Sequence, residues 1–189
     1  VIWWVVVVLL ALVATGVIED DGGVLDSIGD AIVNLTTSDE ARLAKLEPTT
    51  QAQVRALLAQ LAADGIGVHV GQTLRTPAEE KQAIDSGHSG VKTHSWHELG
   101  RAVDLYPLDD SGSAILNPTE TELDLFRRMH ARAVEMGFRS LAFDSDGSKH
   151  LIHNNAGKAI WDGGHIEWRA PFGSIAEAVE AEGAGYGIA

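Results

Sequence analysis

His97 and Asp104 stand with six residues between them, and Gly100 lies in that interval. An imidazole nitrogen and a carboxylate oxygen brought to one point suit Zn²⁺, which takes such ligands at about 2.0–2.2 Å. A catalytic zinc site needs a third ligand and one open position. His94, His150, His153 and His165 are candidates for the third. His165 is the most attractive. It closes the run Trp161-Asp162-Gly163-Gly164-His165-Ile166-Glu167-Trp168, where two glycines allow close backbone approach. Asp162, three residues before it, can accept a proton from a metal-bound water. Glu167 falls on the same side as His165 in an extended strand, as a rival base or a partner that orients the ligand. The other histidines read more plainly. His69 and His130 fit structural positions, and His88 fits a solvated or cleft-lining loop, as His94 also does.

These residues need elements to hold them. Residues 102–106 alternate as a strand does, so Asp104 projects from it, and Gly100 turns the chain so that His97 can face the same point. Residues 165–168 form a second short strand candidate. Upstream, Thr49 or Thr50 can cap a helix in which Val54, Leu57, Leu58 and Leu61 recur at helical spacing, stopped by Asp64-Gly65. Ile66–Val70 reads as a strand. Thr76-Pro77-Ala78-Glu79 is a capping box with proline in the first turn, opening a helix to about Asp85. A Gly/Ser/His-rich loop follows over 86–95. Thr119 to Glu122 is a second capping box before a long amphipathic helix to about Met136. Residues 138–143 read as a strand, 144–149 as a turn or loop, and the tail from Ile175 as a small helix. Helices and short strands without a βαβ rhythm indicate an α+β fold.

The N-terminal part has a different character. Residues 1–14 carry no polar side chain beyond the indoles of Trp3 and Trp4, and apolar character continues to Ile18. As a helix, 18 residues would span about 27 Å, close to the thickness of a bilayer core. We read residues 1–18 as a membrane anchor or uncleaved signal in preference to a buried core strand or helix. No basic residue precedes Arg42, so an ordinary signal peptide fits poorly. Residues 19–45 read as an acidic linker, with a short helix over 24–35 as an option. The folded domain is expected over 46–189.

Composition narrows the chemistry further. The chain of 189 residues contains no cysteine and eight histidines, so any metal site must be built from His, Asp and Glu. Its net charge is −13, and seven of its acids fall before the first base. Such a chain is a poor general binder of nucleic acid.

Three stretches together resemble the peptidase M15 (LAS) family. Ser95-Trp96-His97-Glu98-Leu99-Gly100-Arg101-Ala102-Val103-Asp104 fits the family's S-x-H-x-x-G-x-A-x-D pattern at all five specified positions. Asp162-Gly163-Gly164-His165 fits its acid three residues before a histidine. Leu74-Arg75-Thr76-Pro77 resembles its arginine at the start of a helix. The family includes D-alanyl-D-alanine carboxypeptidases and dipeptidases, and the L-alanyl-D-glutamate endopeptidases of phage endolysins. The resemblance covers roughly residues 46–170. It implies a hedgehog/DD-peptidase-like fold and a zinc peptidase acting on peptidoglycan stem peptides in the cell envelope or in phage lysis. It also implies Zn²⁺ on His97, Asp104 and His165, Asp162 as general base, Arg75 on the substrate carbonyl or carboxylate, and Ser95 as a neighbouring hydrogen-bonding residue. D-alanine trimming and a non-catalytic wall-binding module are the alternatives. The bland reading of Arg75 is a surface salt bridge with Glu79. The long polar stretch 140–158 departs from the family pattern and bears on the shape of the cleft.

Overall fold

The computed structural model describes residues 35–87, 94–154 and 156–182. The apolar segment 1–18, the acidic stretch up to residue 34 with nearly all of the optional 24–35 helix, and His88 lie outside the described residues. Among the described residues, no helix is long and apolar enough to cross a membrane.

The fold is α+β. Helix α1 (Thr37–Leu43) starts in a capping box between Thr36 and Asp39. Helix α2 (Pro48–Ala63) buries Val54, Leu57, Leu58 and Leu61, the residues whose spacing predicts it. Its cap is Glu47, whose carboxylate accepts from the amides of Thr49 and Thr50. Both threonines therefore lie inside the first turn, and neither is the cap. The helix ends at Asp64-Gly65, where Gly65 takes φ +73. Strand β1 (Val68–Val70) follows, then α3 (Pro77–Asp85), which opens with the Thr76–Glu79 capping box. Strand β2 spans Ala102–Pro107 and helix α4 spans Leu123–Glu135. The Thr119–Glu122 box forms ahead of α4, with the Thr119 amide and hydroxyl both donating to Glu122 Oε2 at 2.7 Å.

The remaining elements are small: β3 (Arg139–Ser140), β4 (Leu151–His153), β5 (Ala159–Trp161), β6 (His165–Glu167) and α5 (Ile175–Glu182). The strand expected over 138–143 is only two residues long. Strands β4 and β5 pair as a hairpin that the sequence pattern does not announce.

Four strands form an antiparallel sheet in the order β1-β2-β6-β3. Helices α2 and α4 supply much of the core against one face. Leu57, Leu61, Phe126 and Met129 pack there with Val103 and Leu105 of β2 and Ile166 of β6. Side chains alternate across a strand, so Ala102 and Asp104 must point to the opposite face. A smaller apolar cluster joins Trp96, Leu99 and Ala102 to Ala178 of α5.

Residues 37–43 differ from the linker expected over 19–45. Leu43 is wholly buried in the core, and Asp39 is 1% exposed. Asp39 Oδ1 accepts the Val70 amide at 3.1 Å, and Arg42 donates to the Val70 carbonyl at 3.0 Å. Two side chains of α1 thus satisfy the outer edge of β1, which would otherwise offer unpaired backbone groups. The charge pattern that suggests a solvated arm is here a cap for a sheet edge.

Candidate metal centre

Strands β2 and β6 pair so that Asp104 faces His165 directly across the ladder, with Ala102 opposite Glu167. Opposed residues on antiparallel strands carry their side chains on the same face, with Cβ atoms about 5 Å apart. Register alone therefore brings this carboxylate and this imidazole together. His97 arrives from the turn over 96–100. Gly100 takes φ +65 there, a backbone region that favours glycine. The His97 carbonyl accepts the amides of Gly100 and Arg75, both at 3.1 Å, so this turn also fixes where Arg75 begins.

Three atoms meet at the centre. His97 Nε2 lies 3.1 Å from His165 Nδ1 and 3.3 Å from Asp104 Oδ1. His165 Nδ1 lies 3.3 Å from the same carboxylate oxygen. Ligands at about 2.0 Å in a tetrahedron are separated by about 3.3 Å, so this triangle is one face of a zinc coordination shell. The outer ring nitrogens are occupied elsewhere. His97 Nδ1 is 2.6 Å from the Thr73 carbonyl, and His165 Nε2 is 3.0 Å from Glu167 Oε1. With each neutral ring donating its N–H outward, three lone-pair atoms converge on one point. Such a cluster calls for a cation. His97, Asp104 and His165 are the metal-competent group found among the described residues, and the donor set fits Zn²⁺.

Electrostatics agree with that demand. Burial opposes a charged imidazole at His165, yet its hydrogen bonds to Asp104 and Glu167 outweigh this and raise it to about 10. Burial would raise Asp104, but the positive field of His97 and the hydrogen bonds from both rings hold it well below the ordinary carboxylate range. Burial pushes Asp162 up, with the negative charge of Asp104 adding to it and His165 opposing.

The residues around the triangle fall into two groups. Glu167 is turned to the outer nitrogen of His165, away from the ligand face, and Arg169 Nε holds its other oxygen at 2.6 Å. Its geometry is that of a carboxylate orienting a metal-bound imidazole. Arg75 does not pair with Glu79, which is spent on the helix cap. It bonds Gln72 Oε1 at 2.7 Å and Glu80 at 3.1 Å, with Asp104 Oδ2 at 3.6 Å. Ser95 Oγ donates to the same Glu80 oxygen at 2.7 Å. Glu80 is 1% exposed and is a member of this site that the sequence reading missed. Its position in the first turn of α3 makes it look like a helix-dipole acid. Thr73 is a second omission, because it acts through its carbonyl.

His94 lines the same cavity but is not in the triangle, its Nδ1 sitting 3.5 Å from Glu98. His150 pairs with Asp144 at 2.7 Å, and His153 is exposed on β4. His69 pairs with Asp39 at 2.9 Å. His130 is buried behind the site. Its Nε2 donates to the Gly163 carbonyl at 2.8 Å, and its Nδ1 accepts from Ser140 Oγ at 2.7 Å. Gly163 leaves no room for a side chain, since a Cβ would meet the Trp161 ring. At Gly164 a Cβ would lie 2.9 Å from the Tyr106 ring, while its carbonyl accepts the Leu105 amide at 2.9 Å.

The triangle opens into a cavity of about 1000 Å³. His97, Asp104, His165, Asp162, Arg75 and Ser95 all line it. The β4–β5 hairpin supplies further lining through Ile152, Lys158, Ala159, Ile160 and Trp161. Fold and cluster together define an α+β domain with a two-histidine, one-aspartate metal centre at the wall of a large cleft.

No family model matches the chain, and no curated protein matches it. Solved structures similar to it include the L-Ala D-Glu endopeptidase ChiX of Serratia marcescens, at 20% identity over 70% of this chain and 87% of that one, with a TM-score of 0.46. A mutant of the vancomycin resistance D,D-pentapeptidase VanY from a VanB-type cassette, in complex with Zn(II), is similar at 16% identity over 71% and 76%, with a TM-score of 0.46. VanYB in complex with D-alanine-D-alanine is similar at 17% identity over 71% and 75%, with a TM-score of 0.46.

Proposed function

We propose that this chain is a zinc-dependent peptidase that hydrolyses peptide bonds in peptidoglycan stem peptides. The observation that carries the metal assignment is the triangle of His97 Nε2, Asp104 Oδ1 and His165 Nδ1, with edges of 3.1–3.3 Å and both outer N–H groups directed away. The substrate class rests on the motif resemblance around it. Bound there, Zn²⁺ supplies a Lewis acid and lowers the pKa of a water.

The rest of the reaction falls to the protein's own groups. Asp162 accepts a proton from the attacking water and returns it to the departing amine. It lines the cavity beside the triangle, as a carboxylate that moves a proton there must. Arg75, held by Gln72 and Glu80, presents a fixed cation to the scissile carbonyl or a substrate carboxylate. Ser95 steadies that arginine through Glu80. Glu167 keeps the His165 ring turned so that Nδ1 faces the centre. The substrate puts the catalytic domain on the wall side of the cytoplasmic membrane, with residues 1–18 as its tether.

The test is metal analysis of the purified protein together with digestion of purified peptidoglycan. We expect about one zinc per chain, activity lost to a chelator and restored by zinc, and new termini identified by mass spectrometry. A new D-glutamyl amine marks endopeptidase action, and free D-alanine marks trimming. Full activity in metal-free protein, or in Asp162→Ala, would overturn the mechanism. Zinc binding without hydrolysis of any wall peptide would leave a binding module.

A further inference from the structure

The cavity has a second chemical character beside its metal wall. Four basic residues line it: Arg75, Lys149, Lys158 and Arg169. The two arginines are committed. Arg75 is held by Glu80 and Gln72, and Arg169 by Glu167 while it lies over the Trp96 ring at 5.1 Å. The two lysines have no carboxylate partner among the described residues, although 27 acids make this a strongly acidic chain. The carboxylates of the cavity, Asp104, Asp162 and Glu167, belong to the metal centre.

Lys149 lies just ahead of β4, bridged to Phe143, and Lys158 just ahead of β5. Lys149 Nζ sits 4.6 Å above the Trp161 ring, which restrains a flexible side chain without neutralising it. Lys158 lies at the other end, where its amide donates to Asn154 Oδ1 at 2.9 Å and its carbonyl accepts the Asn154 amide at 3.1 Å. Trp161 lies three residues on from Lys158, about 10 Å at the usual strand rise. The tip is itself anchored, because Asn154 Nδ2 donates to the Gly87 carbonyl at 2.9 Å, at the end of α3. Between the lysines the surface is apolar, with Ile152 and Ile160 paired across the hairpin.

We infer that Lys149 and Lys158 read carboxylates on the bound peptide, so that the cleft selects an extended peptide bearing free carboxylates over the same peptide with those groups amidated. An ammonium is a compact charge that a carboxylate matches and a neutral amide does not. The apolar strip between them accommodates small side chains of the same extended strand. This inference rests on the peptidase reading of the metal centre and names the substrate feature that the site prefers.

The experiment uses two synthetic stem peptides, one with a free carboxylate at its acidic residue and one with the primary amide there. Hydrolysis is followed with wild type, Lys149→Ala, Lys158→Ala and the double variant. Binding of both peptides is measured by calorimetry to zinc-loaded Asp162→Asn with and without the lysine changes. Wild type is expected to favour the acid about tenfold in kcat/KM. The double variant should lose most of that preference through KM, with kcat and zinc content kept, and Lys149→Arg should restore part of it. Undiminished discrimination in the double variant overturns the inference. So does equal binding of acid and amide by the Asp162→Asn protein, whether or not hydrolysis is seen. Absence of hydrolysis of both peptides by wild type overturns the peptidase reading, and the calorimetry still decides the lysines.

Discussion

The two walls of the cleft are built on opposite plans. On the β2–β6 wall the polar side chains that form and brace the triangle are committed. Each ring nitrogen of His97 and His165 has a partner, Asp104 takes both rings, and Glu167 and Glu80 are both buried and both held by arginines. On the β4–β5 wall the strands are three residues long, Leu151 is 51% exposed, and the two lysines have no carboxylate partner among the described residues. A site that must hold a metal gains from groups that cannot turn away. A site that must read a substrate needs groups whose partner arrives with it. Under the proposed roles, chemistry and selection fall to different elements, so they can be broken separately.

The largest separation should come from the metal wall. Replacing His165 or Asp104 by alanine should remove bound zinc and all measurable hydrolysis, read by metal analysis and peptide turnover. Asp162→Asn should keep zinc and lower kcat by about 10²–10⁴-fold. A variant at 162 with lost zinc and an intact residual rate would contradict the division of roles.

Glu167→Gln comes next. It leaves the shape of the side chain but weakens its grip on the His165 ring, so zinc affinity should fall about 10–100-fold in a competition titration. The same change should leave the acid-over-amide preference intact, because it lies on the other wall.

His130 tests whether the metal wall is backed from behind. Burial lowers it to about 4, while the hydrogen bond to Gly163 works in the other direction. A buried neutral histidine destabilises the fold as pH falls, since the unfolded chain takes up the proton first. The contribution is fully present above about pH 6.5 and lost progressively down to about pH 4, reaching about 3 kcal/mol. A Tm that drops over this window in wild type and drops less in His130→Gln would support it; identical profiles would sink it.

The smallest effect is expected at the hairpin anchor. Asn154→Ala frees the tip from Gly87 and removes the side chain that accepts the Ala156 and Lys158 amides. KM should rise a few-fold, with zinc content and kcat unchanged. A fall in zinc occupancy would show that the two walls are coupled.

Much of the metal wall could be read from the linear order of residues. The interval from His97 to Asp104, the glycine between them and the Asp162–His165 run are local patterns, and three of the side chains they mark, His97, Asp104 and His165, meet at one point in the fold. Helices α2 and α3 were legible for the same reason, through apolar spacing and a capping box. Glu80, Thr73 and the hairpin were not. Glu80 sits in a helix turn where acids are ordinary, and only the folding of Ser95 onto it makes it a positioning group. Thr73 contributes a carbonyl, which every residue owns. The hairpin strands read Leu-Ile-His and Ala-Ile-Trp, with no alternation of apolar and polar residues to mark them. Residues 37–43 look like part of an acidic arm because Asp39 gains its partners, Val70 and His69, some thirty residues away.

The sequence by itself determined which kinds of atom could bind a metal: with no cysteine, the ligands on offer were His, Asp and Glu, and the motif resemblance singled out His97, Asp104 and His165 among them. Tertiary structure decided their tautomers, their separations and the roles of their neighbours. The register of β2 against β6 sets Asp104 opposite His165, and Thr73 and Glu167 choose which nitrogen of each ring faces inward. Those choices depend on distances between atoms far apart along the chain, and local pattern carries no record of them.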